Sequence, residues 1–393
     1  MIEFSPPDIG ALEIEEVCGV LRSGWITTGE RVERFERRIA EYTGAQGAVC
    51  MSSATAALEM TLRMLGTGEG DEVIVPAYTY TATAAAVLHT GAVPVMADCS
   101  PGSYLISPEH IAALLNGRTK AVIPADIGGA VCDYDAIYRA LGSHGGFEPK
   151  NELQALFGRP TVIADAAHSF GSRKNDRESG WFADFTCFSF HAVKNLTTAE
   201  GGCVVWRGRE GLDGERIRSS LRLLTLHGQT RGAKEKADGR WEYDVALPGW
   251  KYNMTDIQAS LGLAQLERYN SLLRKRRRLA DVYDAVIDGR IPVLEHSGEG
   301  FEYNRHLYMA SLPEEVSRDG IIDAMRERGV ACNVHFKPLP LLSAYRRLGY
   351  DHRSVPNAVA RYNRELSLPL HTKMSESDAE YAAKTLCGLV LGG

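Results

Sequence analysis

Short apolar runs alternate with segments of helical periodicity between residues 46 and 206, and this alternation constrains the fold more than any other feature of the chain. Strand-helix alternation of this kind places successive strands parallel, with helices on the two faces of the sheet. The sequence therefore predicts an α/β fold with a mostly parallel sheet. The predicted strands are Gln46–Met51, Glu72–Val75, Val93–Ala97 and Ala121–Pro124, and the predicted helices are Ser52–Leu65, Thr81–His89, Pro108–Leu115 and one starting at Tyr134.

One apolar run is followed closely by a lysine. The run Phe185–Phe190 has the composition of a buried strand, Lys194 comes just after it, and the next apolar run is Cys203–Trp206. Partial desolvation between two core strands would lower the pKa of this amine and leave a fraction of it neutral and nucleophilic. An ordinary solvated lysine fits the same pattern, so this stretch alone leaves both interpretations open.

A second apolar run ends on an acid. The run that starts at Thr161 reaches Asp165 and is followed by His168. Because ligands of α/β sheets bind at the carboxyl ends of the strands, Asp165, His168, Ser189 and Lys194 are expected at one edge. An acid and a lysine in such a place suit pyridoxal phosphate (PLP), since the acid can keep the pyridine nitrogen protonated and the lysine can carry the aldehyde.

Further motifs support the same interpretation. They are Ser52–Leu58, Asp71–Pro76 with Tyr78-Thr-Tyr80, Asp165-Ala-Ala-His168, Ser189–Asn195, Glu200-Gly-Gly202 and Trp250–Gln258. With these motifs in this order over nearly the whole chain, the sequence resembles the DegT/StrS-like nucleotide-sugar aminotransferases, which are fold-type I PLP enzymes. The resemblance implies a seven-stranded sheet in a large PLP-binding domain, followed by a smaller α+β domain.

We expect the large domain, with an N-terminal helical arm, to span residues 1–270 and the small domain to span 271–393. In the small domain we expect strands at His306–Leu312 and Ala331–Phe336, and helices at Ile321–Arg328, near Asn357–Leu366 and at Glu376–Leu389.

The resemblance also implies roles for individual residues. Lys194 and Asp165 are the expected catalytic residues, and both also contact the cofactor. The other expected cofactor-binding residues are Ser53, Ala54 and Thr55 at the phosphate, Tyr80 stacked on the ring, His168 at the phenolic oxygen, Ser189, and Asn253, which would reach the cofactor of the neighbouring subunit. His335 is the expected substrate contact.

The residues themselves leave some of these roles open. Small residues at a strand-to-helix turn favour an anion, yet Ser53 and Thr55 also fit ordinary helix capping. Tyr80, His168 and His335 equally fit structural side chains that pack within the fold.

Composition and charge argue against several partners. A net charge of −6 gives no electrostatic basis for binding nucleic acid or an anionic membrane. No apolar run approaches the roughly 20 residues of a membrane-spanning helix. Eight cysteines stand singly with no C-x-x-C pair, so we expect free thiols in a reducing cytoplasm and no metal site.

By resemblance, the expected activity is amino transfer from an amino acid, usually L-glutamate, to a nucleotide-linked keto-sugar. The specific expectation is C4 of a UDP-linked 4-keto-6-deoxy-hexose, for surface-polysaccharide or glycoconjugate biosynthesis, with pyridoxamine phosphate between the half-reactions and active sites shared in a homodimer. An aminotransferase for a 3-keto-sugar or cyclitol, and a non-enzymatic PLP-binding regulator, remain alternatives. Lys194 argues against the related sugar dehydratases, which carry histidine there, and Ser52–Thr55 lacks the glycines of a nicotinamide-binding turn.

Three features concern the surroundings of the site. The charged, glycine-containing stretch 231–242 is long enough to cover a site. Residues 142–159 are longer than the usual connection in the family, and Asp126 stands where the family often has histidine. We expect the insertion and Asp126 to affect the sugar pocket or the surface around it.

Overall fold

Seven strands form one mixed sheet in the computed structural model, which describes residues 1–142, 145–230 and 242–392. These strands are β1 (Gly47–Met51), β2 (Glu72–Pro76), β3 (Val93–Ala97), β4 (Thr119–Val122), β5 (Thr161–Asp165), β8 (Phe185–Ser189) and β9 (Gly202–Trp206). Their order is β1-β9-β8-β5-β4-β2-β3. All neighbours from β8 to β3 are parallel, whereas β9 runs antiparallel to both β1 and β8. The predicted α/β fold with a mostly parallel sheet is confirmed.

The strands are continuous apolar runs because both faces of the sheet are covered. In β5, for example, Val162 and Ala164 belong to one hydrophobic core and Ile163 to the core on the opposite face. The same alternation places Phe188 on the first face and Phe185 on the second. Burial on both faces holds the strand ends, and the polar residues that follow them, in fixed positions.

Helices cover the sheet and form the N-terminal arm, and the four predicted between residues 52 and 142 lie within two residues of their predicted bounds. They are α1 (Ala11–Ser23), α2 (Glu30–Thr43), α3 (Ala54–Met64), α4 (Ala82–Thr90), α5 (Pro108–Leu114), α6 (Tyr134–Gly142), α7 (Glu152–Phe157), α8 (Gly214–Thr225), α9 (Asp256–Ile287), α10 (Arg318–Glu327), α11 (Ser343–Arg347), α12 (Pro356–Arg364) and α13 (Glu376–Leu391).

Two smaller sheets complete the described structure. The first has the order β10-β11-β6-β7 and consists of two-residue strands, β6 (Arg173–Lys174), β7 (Arg177–Glu178), β10 (Ser297–Gly298) and β11 (Phe301–Glu302). The second pairs β12 (Tyr308–Ser311) with β13 (Glu365–Leu368) in antiparallel fashion. A third hydrophobic core lies between this pair and helices α9, α10 and α13.

One prediction for the C-terminal part is wrong, and one predicted helix ends two residues earlier than expected. Residues 331–336 do not form the predicted strand, and within the described chain Asn333 meets β13 only through an isolated bridge to Ser367. The strand beside β12 is instead β13, which begins within the stretch predicted as a helix near 357–366. Helix α12 ends at Arg364, and Glu365 takes an extended backbone.

The proposed domain boundary at residue 270 falls inside α9. This 32-residue helix packs on α1 and α2 in its first part and on α13 in its last part. It therefore connects the two regions without a break, and the division into 1–270 and 271–393 remains a proposal.

Part of the 142–159 insertion packs far from the carboxyl ends of the strands. Helix α7 is capped by Asn151, whose side chain also donates to the carbonyl of Met64 at the end of α3. Gln154 donates to the next carbonyl, that of Leu65. The insertion thus contacts the end of α3 opposite its N-terminus. Residues 143, 144 and 231–241 lie outside the described residues, and with them most of the loop expected to cover the site.

The described helices include none long and apolar enough to cross a membrane. Within the same ranges, no group of three or more acidic, histidine or cysteine side chains is placed to hold a metal ion. All eight cysteines are free thiols, and six of them are buried.

Candidate active site

A cavity of about 430 Å³ opens at the carboxyl ends of β2, β4, β5 and β8, beside the N-terminus of α3. This is the edge at which open α/β sheets bind ligands. Nine of the ten expected site residues line it: Ser53, Ala54, Thr55, Tyr80, Asp165, His168, Ser189, Lys194 and His335. Asn253 is the exception. Residues that are distant in sequence therefore converge on one cavity.

Lys194 lies in the turn after β8, where its backbone N–H donates to the carbonyl of His191 at 2.9 Å. The side chain is partly exposed where it lines the cavity. Burial lowers the pKa of the Lys194 amine to about 8, against the opposing effect of the Asp165 carboxylate. A substantial fraction of the amine is therefore neutral near physiological pH and can act as a nucleophile.

Asp165 is the last residue of β5 and is buried. Its Oδ2 accepts a 2.6 Å hydrogen bond from Thr83 Oγ1, and its Oδ1 accepts one from the backbone N–H of Ala167 at 3.3 Å. Burial raises the pKa of Asp165, while these donors and the charge of Lys194 favour the ionised form. A carboxylate held in this way can stabilise a cationic nitrogen within the cavity.

The N-terminus of α3 lies at the wall of the cavity. Ser53 caps the helix by accepting from the backbone N–H of Ala56 at 3.1 Å. The backbone N–H groups of Ala54 and Thr55 have no acceptor within the described residues. Gly202 of β9 packs so closely that a Cβ there would lie 2.3 Å from the nitrogen of Ala54. Free N–H groups and the helix dipole favour an anion at this end of the helix.

Comparison with known proteins identifies the family. The model of the DegT/DnrJ/EryC1/StrS aminotransferase family matches residues 7–387. The chain belongs to this family. Both the expected family and its aminotransferase chemistry are thereby confirmed.

Three relatives of the family illustrate the match. The chain is 45% identical to a protein described as a sugar aminotransferase, Spr1654 from Streptococcus pneumoniae, with a TM-score of 0.96 and complete coverage of both chains for the PMP form; apo and PLP forms are also solved. It is 37% identical to the spore coat polysaccharide biosynthesis protein SpsC of Bacillus subtilis, over 100% of this chain and 97% of SpsC. The chain is also 26% identical to DesI, whose structure was solved in the presence of its TDP-sugar product. The TM-score is 0.82, and the match covers 99% of this chain and 92% of DesI.

The cavity fits the cofactor of this aminotransferase family. It offers an amine for an aldehyde at Lys194, a carboxylate for a pyridine nitrogen at Asp165, and N–H donors for a phosphate at the start of α3. The expected cofactor, PLP, and fold type I are confirmed by the PLP and PMP forms of the S. pneumoniae family member and its matching fold.

Two histidines, His168 and His306, meet at the cavity. His168 accepts a 3.2 Å hydrogen bond from the backbone N–H of Gly128 at Nδ1, so its ring proton is on Nε2. Burial holds the pKa of His168 well below its usual value, and the neutral ring presents one N–H donor. The ring of His306 lies 4.3 Å away, and its Nδ1 is 3.0 Å from Oδ1 of Asn195.

The remaining expected residues differ in their surroundings. Tyr80 is 61% exposed, and its ring centroid lies 5.7 Å from that of Phe336 across the cavity mouth. Ser189 Oγ accepts from the backbone N–H of His191 at 3.4 Å. The ring of His335 is stacked on Phe4 at 5.4 Å, so the N-terminal segment also contributes to the wall.

Asn253 lies outside the cavity of its own chain. Its Nδ2 donates to Thr28 Oγ1 and its Oδ1 accepts from Lys251 Nζ, both at 2.7 Å. Its backbone bridges to Met51 at the end of β1. The side chain is thus fixed on the surface near the N-terminal arm.

Asp126 lines the cavity, but its carboxylate is occupied by other protein groups. Its Oδ1 accepts from the N–H of Cys132 and from Tyr134, and its Oδ2 accepts from Ser169 at 2.7 Å. Burial raises the pKa of Asp126 to about 6. These bonds hold the segment after β4 against the turn after β5, so Asp126 shapes the cavity wall.

Two polar residues that line or support the cavity, Thr83 and His306, were not predicted from the sequence. Thr83 lies in the Tyr78–Thr83 cluster of hydroxyl residues after β2, a pattern that could have suggested a hydrogen-bond donor at the strand end. His306 begins the approach to β12 and carried no comparable signal, because only the packing of β12 beside the large sheet brings it to His168.

Proposed function

We propose that the protein transfers an amino group from an amino acid, L-glutamate in our proposal, to a nucleotide-linked keto-sugar. The acceptor is C4 of a UDP-linked 4-keto-6-deoxy-hexose, and the product serves polysaccharide or glycoconjugate biosynthesis in the cytoplasm. The similarity to Spr1654 and SpsC supports a sugar substrate, and the TDP-sugar product named for DesI supports a nucleotide-linked one. The free cysteines support a reducing compartment.

One observation carries the proposal: a lysine of lowered pKa, a buried carboxylate and a helix N-terminus share one cavity. Each feature is common alone, since buried acids and free helix ends occur throughout proteins. Their combination supplies the three contacts that PLP needs, and these are the roles we propose for Lys194, Asp165 and Ser53–Thr55.

The mechanism follows from the positions of these groups. When bound, PLP supplies an electrophilic carbonyl and a ring that stabilises negative charge at the carbon of the substrate amine. Lys194 Nζ accepts the proton that leaves the α-carbon of the amino donor, and in the second half-reaction it returns a proton to the sugar carbon that receives the amine. Asp165 holds positive charge at the ring nitrogen, and Thr83 orients that carboxylate. His168 donates from Nε2 to an acceptor oxygen in the cavity.

We further propose a homodimer in which Asn253 completes the cofactor site of the neighbouring subunit. Its side chain is held outside its own cavity by Thr28 and Lys251. The N-terminal arm exposes apolar side chains that a partner could cover: Ile9, Leu12, Ile14, Leu21 and Ile26.

A substrate screen tests the proposed function. The PLP-loaded protein is first treated with L-glutamate, which should convert its absorbance to that of the pyridoxamine form. Candidate keto-sugar nucleotides are then added one at a time, and the one that restores the PLP absorbance and yields an amino-sugar by mass spectrometry is the substrate. We expect the UDP-linked 4-keto-6-deoxy-hexose to do so. Restoration only by a 3-keto-sugar or a cyclitol ketone would refute the proposed acceptor, and a protein inert to every amino donor would refute the aminotransferase.

A further inference from the structure

Two side chains of β13 lie directly behind His335, away from the cavity. Ser367 Oγ is 2.9 Å from Nδ1 of His335 and 2.5 Å from Oε1 of Glu365. The other carboxyl oxygen of Glu365, Oε2, accepts the backbone N–H of His335 at 2.7 Å. The second ring nitrogen of His335, Nε2, has no partner within the described residues, and the ring lines the cavity. A continuous hydrogen-bonded chain therefore joins a buried carboxyl group to a ring that faces the site.

The environment of Glu365 makes its proton available near neutral pH. Glu365 is fully buried, and burial raises its pKa to about 8 against the hydrogen bonds from Ser367 and His335 and the charge of Arg318. The other titratable groups that face it are Tyr78, Tyr104 and Cys332, all with pKa values raised by burial and therefore neutral in this range.

The ring of His335 remains neutral over the same pH range. Burial, with the charge of Lys194, lowers the pKa of His335 to about 3. The ring therefore carries a single proton, on Nδ1 or on Nε2, and the hydrogen-bond chain determines which.

The hydrogen-bonded chain from Glu365 through Ser367 to His335 has two possible arrangements of its protons. When Glu365 is ionised, Ser367 donates to the carboxylate, so Ser367 Oγ must accept from Nδ1–H of His335, and Nε2 is a bare acceptor. When Glu365 is protonated on Oε1, it donates to Ser367, Ser367 donates to Nδ1, and the ring proton moves to Nε2. The cavity then meets a donor in place of an acceptor.

We propose that Glu365 and Ser367 are positioning residues that set the ring tautomer of His335, so that His335 presents an N–H donor to the substrate when Glu365 is protonated and an acceptor when it is ionised. The identity of the ligand rests on the proposed function: the donor state binds an acceptor oxygen of the keto-sugar. The tautomer switch itself belongs to the protein and does not depend on the substrate.

The switch can be observed directly in the PLP-loaded protein labelled with ¹⁵N-histidine, with the His335 signals assigned by comparison with His335→Asn. We expect the ring proton to move from Nε2 to Nδ1 as pH rises through about 8. Glu365→Gln cannot ionise and should hold the proton on Nε2 at every pH, whereas Ser367→Ala should abolish the switch by breaking the chain. Because the free amine of Lys194 titrates in the same range in any cofactor-free fraction, Lys194→Ala is the control and should retain the switch. One tautomer throughout in the wild type, or a switch that persists in Glu365→Gln, would overturn the proposal.

Kinetics with the keto-sugar then test the ligand. We expect the KM of the wild type to rise roughly tenfold above pH 8 as the N–H donor is lost, while the KM of Glu365→Gln stays flat. The titration of Lys194 should affect kcat equally in both proteins, so their kcat profiles should coincide. A tautomer switch without a change in KM would overturn the substrate contact alone. Failure of every keto-sugar to react would instead refute the proposed function, and the NMR result would still decide the positioning role.

Discussion

The lowered pKa of Lys194 has a specific physical source. The amine is desolvated in the wall of the cavity, which disfavours its charged form, and the carboxylate of Asp165 only partly compensates. The neighbouring histidines add no positive charge, because burial keeps His168 and His306 neutral. The site thus maintains a reactive amine beside the carboxylate of Asp165.

This leads to a prediction for the pH dependence of cofactor binding. The neutral amine attacks an aldehyde, so the rate at which cofactor-free protein combines with PLP should rise with pH and level off above about 8. Nα-acetyl-lysine, whose side-chain amine titrates near the ordinary lysine value of 10.5, serves as the control, and its rate of reaction with PLP should still be rising at pH 8. Stopped-flow absorbance measures both. If the pH midpoint of the rate for the protein is as high as that for the control, the Lys194 amine is solvated and its pKa is not lowered.

At the level of secondary-structure elements, the start of α3 is held in place by contact with β9. Gly202→Ala would place a Cβ 2.3 Å from the nitrogen of Ala54 and 2.5 Å from the carbonyl carbon of Ser53, both backbone atoms. We expect a loss of about 1–3 kcal/mol in the free energy of unfolding and roughly tenfold weaker PLP binding, because the first turn of α3 must move. Denaturant titration and PLP titration measure these effects.

Gly388→Ala is the matched control for this substitution. Gly388 is exposed inside α13, and a Cβ there would have nothing within 4 Å, so alanine should stabilise the protein by about 0.5–1 kcal/mol and leave PLP binding unchanged. Equal effects of the two substitutions on PLP affinity would contradict the role of the β9 contact.

Helix α9 is joined to the approach to β12 by Arg276, which is buried. Its guanidinium donates to the carbonyls of Arg305, His306 and Leu370 at 2.7–3.0 Å. Arg276→Met leaves these carbonyls without a donor, and we expect a loss of about 3 kcal/mol in the free energy of unfolding.

Its neighbour Arg277 provides the control for Arg276→Met. The Arg277 side chain is 56% exposed, and its ion pair with Glu302 at 3.5 Å is its sole polar contact within the described part of the chain, so Arg277→Met should change the unfolding free energy by less than about 1 kcal/mol. Thermal or urea denaturation compares the two. Similar losses would mean that the buried guanidinium does not hold α9 to the segment at His306.

The sequence predicted those parts of the site that follow from local pattern. Strand ends marked by an acid or a lysine could be recognised because the spacing of apolar residues along a strand is a local property of the sequence. Asp165 and Lys194 do line one cavity. Thr83 and His306 could not be recognised as securely, since their roles depend on packing between distant segments. No strand forms at 331–336, where Phe336 packs against His168 at the cavity. The strand β13, which carries the polar Glu365 and Ser367, does not show the apolar character by which a strand is recognised.

For the whole molecule, the proposed shared site predicts complementation between inactive variants. Lys194→Ala and Asn253→Ala should each be nearly inactive. In a dimer that mixes them, one site combines Lys194 from one subunit with Asn253 from the other, so randomly mixed subunits should regain about a quarter of the wild-type activity. The measurement is turnover after co-refolding, with each variant refolded alone as the control. No recovery would place Asn253 in the cavity of its own chain or outside the site.

If PLP is bound covalently at Lys194, borohydride reduction of the PLP-loaded protein should fix the cofactor there as a stable secondary amine. Peptide mass mapping should then find a phosphopyridoxyl group on the peptide that carries Lys194 and none on any peptide of Lys194→Ala. Labelling of a different lysine, or a protein that takes up no PLP, would contradict it.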